Sequence, residues 1–241
     1  MLEVDLRPKK EYIKSRGGFY PRAGEPSTET RNGGLKMKTC YIIAAGETDL
    51  IEFEKNDGDF VICADAGYKK ALERDIVPDL VVGDFDSLGE IPKLENVEVH
   101  PSEKDETDTF LALTCALERG YKNVVVFGAL GGRLDHTVAN LQLLKYLCER
   151  GVSCTLVSKR ETVTAVKNSS LSFSKRESGV ISVFSLTDTS EGVFEKGLKY
   201  ELENAVLTSS FPLGVSNEFV GKEAEISVGN GVLMVICENP A

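Results

Sequence analysis

The sequence predicts an α/β protein in which an N-terminal α/β domain built on a parallel sheet is followed by a C-terminal antiparallel β-sandwich domain. Two observations support this prediction. Before about residue 160, short apolar runs typical of strands alternate with segments of helical periodicity, as in parallel sheets with crossover helices. After Ser158 the helical periodicity ends, and short β-rich runs follow, separated by Gly, Asn, Asp and Ser. The predicted domains are residues 37–160 and 161–241.

The first domain is predicted to contain six strands and three helices. Most of the strands are short apolar runs that end at a glycine, an aspartate or a proline: 41–45, 60–64, 80–82, 97–100, 124–127 and 152–157. The helices are predicted over 68–75, 106–119 and 137–150. The last two have apolar residues at helical spacing, and Gly120 and Gly151 follow them in the position of a C-terminal cap.

The second domain is predicted from strand-like runs alone. These runs cover 161–166, 169–173, 180–186, 205–209, 223–228 and 231–237. Residues 1–36 resemble neither domain, because they mix Lys and Arg with glycine pairs and prolines and lack the apolar segment of a secretory signal. We predict that they are a non-native or disordered extension and that the native chain starts at Met37. N-terminal sequencing of the natural protein tests this prediction.

Composition excludes several classes of protein. A net charge of −10 and a pI near 4.9 argue against binding a nucleic-acid backbone, which requires clustered Lys and Arg. No apolar run approaches the ~20 residues that span a membrane. The six cysteines form no C-x-x-C pair, so zinc is not expected. We expect them to be buried thiols in a reducing compartment, the cytoplasm.

An acidic pair follows the third predicted strand and is the strongest single indication of function. Residues 83–87 read Gly-Asp-Phe-Asp-Ser, so Asp84 and Asp86 are two residues apart and would point the same way in an extended segment. Two adjacent carboxylates repel each other unless a cation lies between them, and Mg²⁺ suits such oxygen ligands. The alternative is a solvated acidic turn, because Asp, Gly and Ser are common turn residues.

Three further polar clusters are predicted to lie along the same edge of the sheet, where ligands bind in open α/β folds. They are Asp65-Ala66-Gly67, Asp105-Glu106-Thr107-Asp108, and the stretch from Gly128 through Gly131, Gly132, Arg133 and Asp135 to His136. Each has a structural alternative, since acids favour helix starts and glycines favour turns. The glycines and the arginine also suit a phosphate. His136 is interpreted as a general base or, more readily, as a structural histidine, and Asn140 lies one helical turn beyond it.

These motifs resemble those of the thiamin pyrophosphokinase family in their order and spacing. The C-terminal segments Leu213-Gly-Val-Ser-Asn-Glu218 and Gly197-Leu-Lys-Tyr200 resemble the motifs of that family on the thiamin side. The resemblance covers roughly residues 39–237. It implies transfer of pyrophosphate from ATP to the hydroxyl of thiamin, giving thiamin diphosphate and AMP. It also implies Mg²⁺ as cofactor and a homodimer with thiamin sites at the interface.

The resemblance further implies a role for each matching residue. Asp84, Asp86 and Asp108 would hold the metal, with Asp105 as a second candidate beside Asp108, and Arg133 would neutralise the phosphates. The nucleotide side would be formed by Asp65, Gly67, Ser87, Asp105, Gly131, Gly132, Asp135, His136 and Asn140. Ser216 and Asn217 would hydrogen-bond thiamin. Ala66 and Ala45 stand where the family usually has Gly and Asn.

Two other functions are compatible with the acidic pair. One is a different Mg²⁺-dependent transferase, such as a nucleotide-sugar glycosyltransferase, which would release a nucleoside diphosphate instead of AMP. The other is a nucleotide-sensing module, which would bind ATP without consuming it. Incubation with ATP, Mg²⁺ and thiamin, followed by product analysis, separates the three.

Overall fold

The computed structural model of the protein describes residues 37–47, 51–85, 96–99 and 107–240. Its three helices in this part of the chain are α1 (Gly67–Leu72), α2 (Asp108–Glu118) and α3 (Leu134–Cys148). The strands of the first half are β1 (Thr39–Ile43), β2 (Phe60–Ala64), β3 (Leu80–Gly83), β4 (Val97–Val99), β5 (Asn123–Phe127) and β6 (Ser153–Val157). Those of the second half are β7 (Glu161–Lys167), β8 (Ser170–Arg176), β9 (Val180–Ser185), β10 (Thr189–Lys196), β11 (Leu202–Thr208), β12 (Gly214–Glu218), β13 (Lys222–Ser227) and β14 (Val232–Glu238).

The larger of two sheets has the strand order β12-β9-β14-β7-β6-β5-β1-β2-β3-β4. Strands β1 to β6 are parallel, which confirms the predicted α/β fold of the first half. Antiparallel pairing begins where β6 meets β7, with Leu156 opposite Val163. The predicted domain boundary at residue 160 therefore lies inside one continuous sheet. The smaller sheet, β11-β10-β13-β8, is antiparallel and packs on the C-terminal part of the larger one.

Apolar residues cover both faces of the parallel strands, as their near-continuous hydrophobic sequences predict. On one face, Ile42, Ile62 and Val126 pack with residues of α2 and α3. This cluster also includes Val163 and Met234 from the second half of the chain. A separate cluster fills the space between the two antiparallel layers. One hydrophobic core is thus shared across the predicted domain boundary.

Two strands were not predicted from the sequence, namely β10 and β12. The inward positions of β10 include Ser190 and Glu195, and those of β12 include Asn217, so neither strand shows the apolar alternation of a half-buried strand. Helix α3 also begins at Leu134, three residues before its predicted start. None of the helices in the described ranges is both long and apolar enough to cross a bilayer. All six cysteines have free thiols, and five of them are buried, as predicted.

Candidate active site

The loops that follow the carboxyl ends of β1 and β5 border a crevice, which is lined by Glu47 from the first loop and by Leu130 and Gly131 from the second. The chain order reverses at this point, because β2, β3 and β4 lie on one side of β1 while β5 and β6 lie on the other. The loops after the two strands are joined by a hydrogen bond of 2.9 Å from the amide of Gly46 to the carbonyl oxygen of Gly128. A methyl group at Gly46 would lie 2.2 Å from that oxygen. Only glycine permits this close approach of the two loops.

Asp65 and Asp84 lie in neighbouring loops at the same edge of the sheet. The amide of Asp65 donates to the carbonyl oxygen of Val82 at 2.8 Å, and a methyl group at Gly83 would lie 3.1 Å from the Cα atom of Asp65. Asp65 has a φ of +46°, in the left-handed region that residues other than glycine rarely adopt. The structure therefore brings together two of the acidic clusters predicted from separate motifs.

Phe85 determines how the acidic loop leaves β3. Its ring is 3% exposed and packs in the core with Val81 and Ile43, although its backbone has a φ of +61°. A bulky side chain in the left-handed region is strained, and burial of the ring offsets part of that cost. With the ring anchored inside, Asp84 remains half-buried at the edge of the sheet.

The remaining predicted metal ligands are only partly described. Asp86, Ser87 and Asp105 lie outside the described residues. Asp108 is the first residue of α2, after Thr107, whose hydroxyl accepts from the amide of Phe110 at 3.2 Å as an N-terminal cap. Within the described ranges, no three acidic, histidine or cysteine side chains are grouped closely enough to hold a metal.

The glycine-rich loop after β5 leads directly into α3. Gly131 and Gly132 have φ values of +79° and +65°, so both require the conformational freedom of glycine. Arg133, which follows them, is bound by Asp135 through two hydrogen bonds of 3.1 and 2.6 Å. These bonds lower the pKa of the exposed Asp135 carboxyl. His136 is exposed at the start of the helix.

Asn140 holds this loop from inside the protein. The side chain is 6% exposed, and its Nδ2 atom donates to the carbonyl oxygen of Ala129 at 2.8 Å. Thr137 adds a second bond, from its hydroxyl to the carbonyl oxygen of Gly131 at 3.1 Å. Asn140 is predicted to face the nucleotide; in the structure its side chain binds the backbone that would surround the phosphates.

Lys70 is a candidate that the motifs did not indicate. It lies on α1, and its Nζ atom donates to the carbonyl oxygens of Ala45 (2.7 Å) and Gly46. Its positive charge therefore lies beside the crevice between β1 and β5. Ala66 precedes the helix with a φ of −59°, a conformation open to any residue, so the backbone there does not require the glycine that is usual in the family. The only indication of Lys70 in the sequence was its position three residues after Gly67, about one helical turn beyond the Asp65 cluster.

Ser216, which the resemblance predicts to bind thiamin, lies in an irregular part of β12. Register shifts between Gly214 and Asn217 where β12 pairs with β9, and Ser216 has a φ of +61°. Its side chain is exposed, and its amide donates to Oγ of Ser182 at 3.0 Å. Ser182 and Gly131 both line an open groove of about 1090 Å³ that runs between the two halves of the chain.

Asn217, by contrast, is 4% exposed and fully engaged within the chain. Its Oδ1 atom accepts from the amides of Tyr200 (3.0 Å) and Glu218 (2.9 Å). Its Nδ2 atom donates to the carbonyl oxygen of Tyr200 (2.6 Å) and to Oε2 of Glu195 (2.8 Å). These four bonds use the full capacity of the amide. The predicted contact of Asn217 with thiamin stays a prediction. It would require Asn217 to exchange one of these four hydrogen bonds for a bond to thiamin.

Comparison with known proteins identifies the family. The profile "Thiamin pyrophosphokinase, catalytic domain" matches residues 53–156, and "Thiamin pyrophosphokinase, vitamin B1 binding domain" matches residues 168–233. Thiamine pyrophosphokinase of Bacillus subtilis is 31% identical over 210 residues, which cover 83% of this chain and 98% of the relative. Thiamin pyrophosphokinase 1 of Caenorhabditis elegans is 25% identical over 197 residues, covering 75% of this chain and 80% of the relative.

Solved structures agree with this result. The crystal structure of the Bacillus subtilis thiamine pyrophosphokinase has a TM-score of 0.75 at 30% identity, with 83% of this chain and 99% of that chain covered. The corresponding structure from Geobacillus thermodenitrificans has a TM-score of 0.72 at 26% identity, with 84% and 98% covered. Both halves of the chain, their order and their fold match, and the chain belongs to the thiamin pyrophosphokinase family.

Proposed function

We propose that this chain forms thiamin diphosphate in the crevice between β1 and β5, with Mg²⁺ held by acidic residues at the edge of the sheet. The overall reaction is that of the family: pyrophosphate is transferred from ATP to thiamin, and AMP is released. The observation that carries the proposal is the meeting of the Asp65, Asp84 and glycine-rich loops at one edge of a parallel sheet. In the transfer, the thiamin hydroxyl oxygen forms a bond to the β-phosphorus while the bond from that phosphorus to AMP breaks.

The donors present suit Mg²⁺. They are carboxylate oxygens, and Mg²⁺ in phosphoryl-transfer sites is commonly bound by one or two carboxylates together with substrate phosphates and water. Asp84 and Asp108 would hold it, together with Asp86. When bound, Mg²⁺ would neutralise charge on the phosphate oxygens. Asp84 and Asp108 lie within the described ranges and Asp86 does not, so the grouping of the three around one ion stays a prediction.

The chain's own residues would position ATP. Backbone amides of Gly131 and Gly132 lie at the N-terminus of α3, where the helix dipole favours an anion. Arg133 would contact the phosphates by giving up part of its pairing with Asp135. Gly67 stands where a methyl group would lie 2.0 Å from the carbonyl oxygen of Ile43, so the Asp65 loop packs directly against β1. Positioning of this kind supplies most of the catalysis in phosphoryl transfer.

Thiamin would be bound by Ser216, and we propose that a homodimer completes its site. Support comes from large apolar side chains that are exposed near β12, namely Tyr200, Phe211, Leu213 and Val215. Exposed apolar groups of this kind are typical of interaction surfaces.

The six free thiols favour a reducing compartment, so we propose the cytoplasm as the location.

The test is an assay with ATP, Mg²⁺ and thiamin, followed by identification of the products. We expect thiamin diphosphate and AMP. Release of ADP, or of another nucleoside diphosphate from a nucleotide sugar, would overturn the proposal in favour of another transferase. Binding of ATP without turnover would favour a nucleotide-sensing module.

The metal assignment is tested by Asp84→Asn. This change removes a charge but little volume, so we expect a folded protein whose kcat falls by about a hundredfold or more, because metal stabilisation of the transferring phosphates is worth several kcal/mol. Asp75→Asn is the control, since it makes the same chemical change at an exposed aspartate that follows the C-terminal end of α1. Near-normal turnover by Asp84→Asn would contradict the assignment.

A further inference from the structure

A buried carboxyl group lies directly behind the thiamin-side segment of β12. Glu195, on β10 of the smaller sheet, is 1% exposed, and its Oε2 atom accepts from Nδ2 of Asn217 at 2.8 Å. Its Oε1 atom is also buried and has no hydrogen-bond partner within the described ranges. Burial raises the pKa of this carboxyl. Burying a carboxyl oxygen without a hydrogen-bond partner costs free energy of folding, so the position of Glu195 in the core requires an explanation.

Glu195 contacts both ends of the irregular part of β12. Oε2 binds Asn217 at one end, and a methyl group at Gly214, at the other end, would lie 3.0 Å from Oε1. Gly214 and Asn217 both point inward, whereas the two residues between them, Val215 and Ser216, are both exposed. Regular alternation would turn Ser216 inward. The extra outward residue is the signature of a β-bulge, and it presents Ser216 to solvent.

The hydrogen bond between Glu195 and Asn217 lies beneath two separate motifs, residues 197–200 and 213–218. The side chain of Asn217 binds both the backbone amide and the backbone carbonyl oxygen of Tyr200. Lys199 adds a hydrogen bond of its amide to the carbonyl oxygen of Glu218 and an ion pair of 2.7 Å with the Glu218 carboxylate. Residues 197–200 and 213–218 are thereby fixed to each other, with Glu195 beneath them.

We propose that Glu195 is a positioning residue for thiamin binding, which holds the β12 bulge through Asn217 and Gly214 and so sets the orientation of Ser216. The inference rests on the proposed function, because the orientation of Ser216 affects catalysis only if Ser216 contacts thiamin. Because Glu195 is buried, it would touch neither substrate. Its effect is therefore confined to the thiamin side and leaves the ATP crevice, on the other half of the chain, unchanged.

The experiment compares Glu195→Met with Glu195→Gln in the full-length enzyme. Met has a similar volume but only a weakly accepting sulfur, so Nδ2 of Asn217 loses a buried partner. We expect the KM for thiamin to rise by about tenfold, which corresponds to about 1.4 kcal/mol. The KM for ATP should change by less than about twofold, a small fraction of that effect. Gln retains an acceptor oxygen, so its KM for thiamin should lie closer to that of the unaltered enzyme.

A second variant, Gly214→Ala, alters the other end of the bulge. In Gly214→Ala the new methyl group would lie 2.8 Å from the carbonyl oxygen of Val183, so β12 must shift, and we expect the same selective rise in the KM for thiamin. Val193→Ala is the control, because Val193 is a fully buried residue of β10, the strand that carries Glu195, and it pairs with Ala205 of β11. It should lower stability and leave the KM for thiamin unchanged.

Ser216→Ala separates this inference from the proposed function. If Ser216→Ala leaves the KM for thiamin unchanged, the proposed thiamin contact itself is wrong. If Ser216→Ala raises it while Glu195→Met and Gly214→Ala do not, the contact stands and the positioning role of Glu195 is overturned. Support requires all three to raise it, with the effects of Ser216→Ala and Glu195→Met less than additive in the double variant.

Discussion

At the scale of single residues, the candidate site depends on backbone conformations that are costly for ordinary side chains. Asp65, Phe85 and Ser216 all have φ values between +46° and +61°, and each belongs to a motif predicted to bind metal, nucleotide or thiamin. Such strain persists only where the surroundings enforce it. Here the surroundings are identifiable: the ring of Phe85 is buried, and Ser216 is held between Asn217 and the hydroxyl of Ser182.

The pKa of Glu195 yields a prediction about stability. Burial raises this pKa above its ordinary value of 4.5, so the folded state holds the proton more tightly than the unfolded chain. The contribution of Glu195 to stability is therefore fully present below pH 4.5 and is lost as the pH rises through the raised pKa. Glu195→Gln does not ionise, so the Tm of this variant should improve relative to the unaltered protein from pH 4.5 toward neutrality. Parallel Tm curves over that range would contradict the prediction.

At the scale of elements, the loop between β5 and α3 is held by polar contacts to its backbone. Gly46 binds Gly128, Asn140 binds Ala129, and Thr137 binds Gly131. None of these bonds involves a substrate, and together they fix the glycines that would surround the phosphates. The order of this loop should thus depend on α3 as much as on its own sequence.

Asn140→Leu tests this dependence. The carbonyl oxygen of Ala129 would lose its buried donor, so we expect a loss of about 1–3 kcal/mol in the free energy of unfolding. The KM for ATP should rise more than that for thiamin, because the disturbed loop lies on the nucleotide side. Leu147→Ala, on the same helix, is the control: it should cost about 2–5 kcal/mol without a selective effect on ATP. Equal effects of Asn140→Leu on both substrates would refute the expectation.

The elements also show what the sequence could and could not reveal. Strand β2 was predicted with its observed bounds, because apolar residues fill it and Asp65 ends it. Strands β10 and β12 were not predicted, because their inward residues include Glu195 and Asn217, whose burial depends on a partner distant in the chain. Likewise, the spacing that placed Asn140 beside His136 could not show that Asn140 binds the backbone of Ala129. Periodicity reveals apolar burial, whereas buried polar contacts become visible only in three dimensions.

At the scale of the whole molecule, the two halves of the chain share a sheet and a core. Strands β6 and β7 pair across residue 160, and Val163 and Met234 pack in the same cluster as Ile42. We therefore expect a single cooperative unfolding transition by calorimetry. Far-UV circular dichroism and the near-UV signal of the tyrosines should change together. Two resolved transitions would indicate that the halves fold independently.

The proposed homodimer also belongs to this scale. Phe211 is 66% exposed beside β12, so we expect Phe211→Asp to weaken the dimer in analytical ultracentrifugation and to raise the KM for thiamin. Val77→Asp is the matched control, because Val77 is 76% exposed but lies in the α/β half. A Phe211→Asp protein that dimerises as tightly as the control would exclude this surface as the interface.

The Glu195–Asn217 contact has a consequence for how this enzyme can diverge. An apolar replacement of Glu195 alone removes a buried partner of Asn217, and an apolar replacement of Asn217 also removes the partners of the Tyr200 backbone. We therefore expect relatives without this carboxyl group to differ at position 217 and around position 200 as well, and a redesign of which vitamin analogues the enzyme accepts should change these positions together.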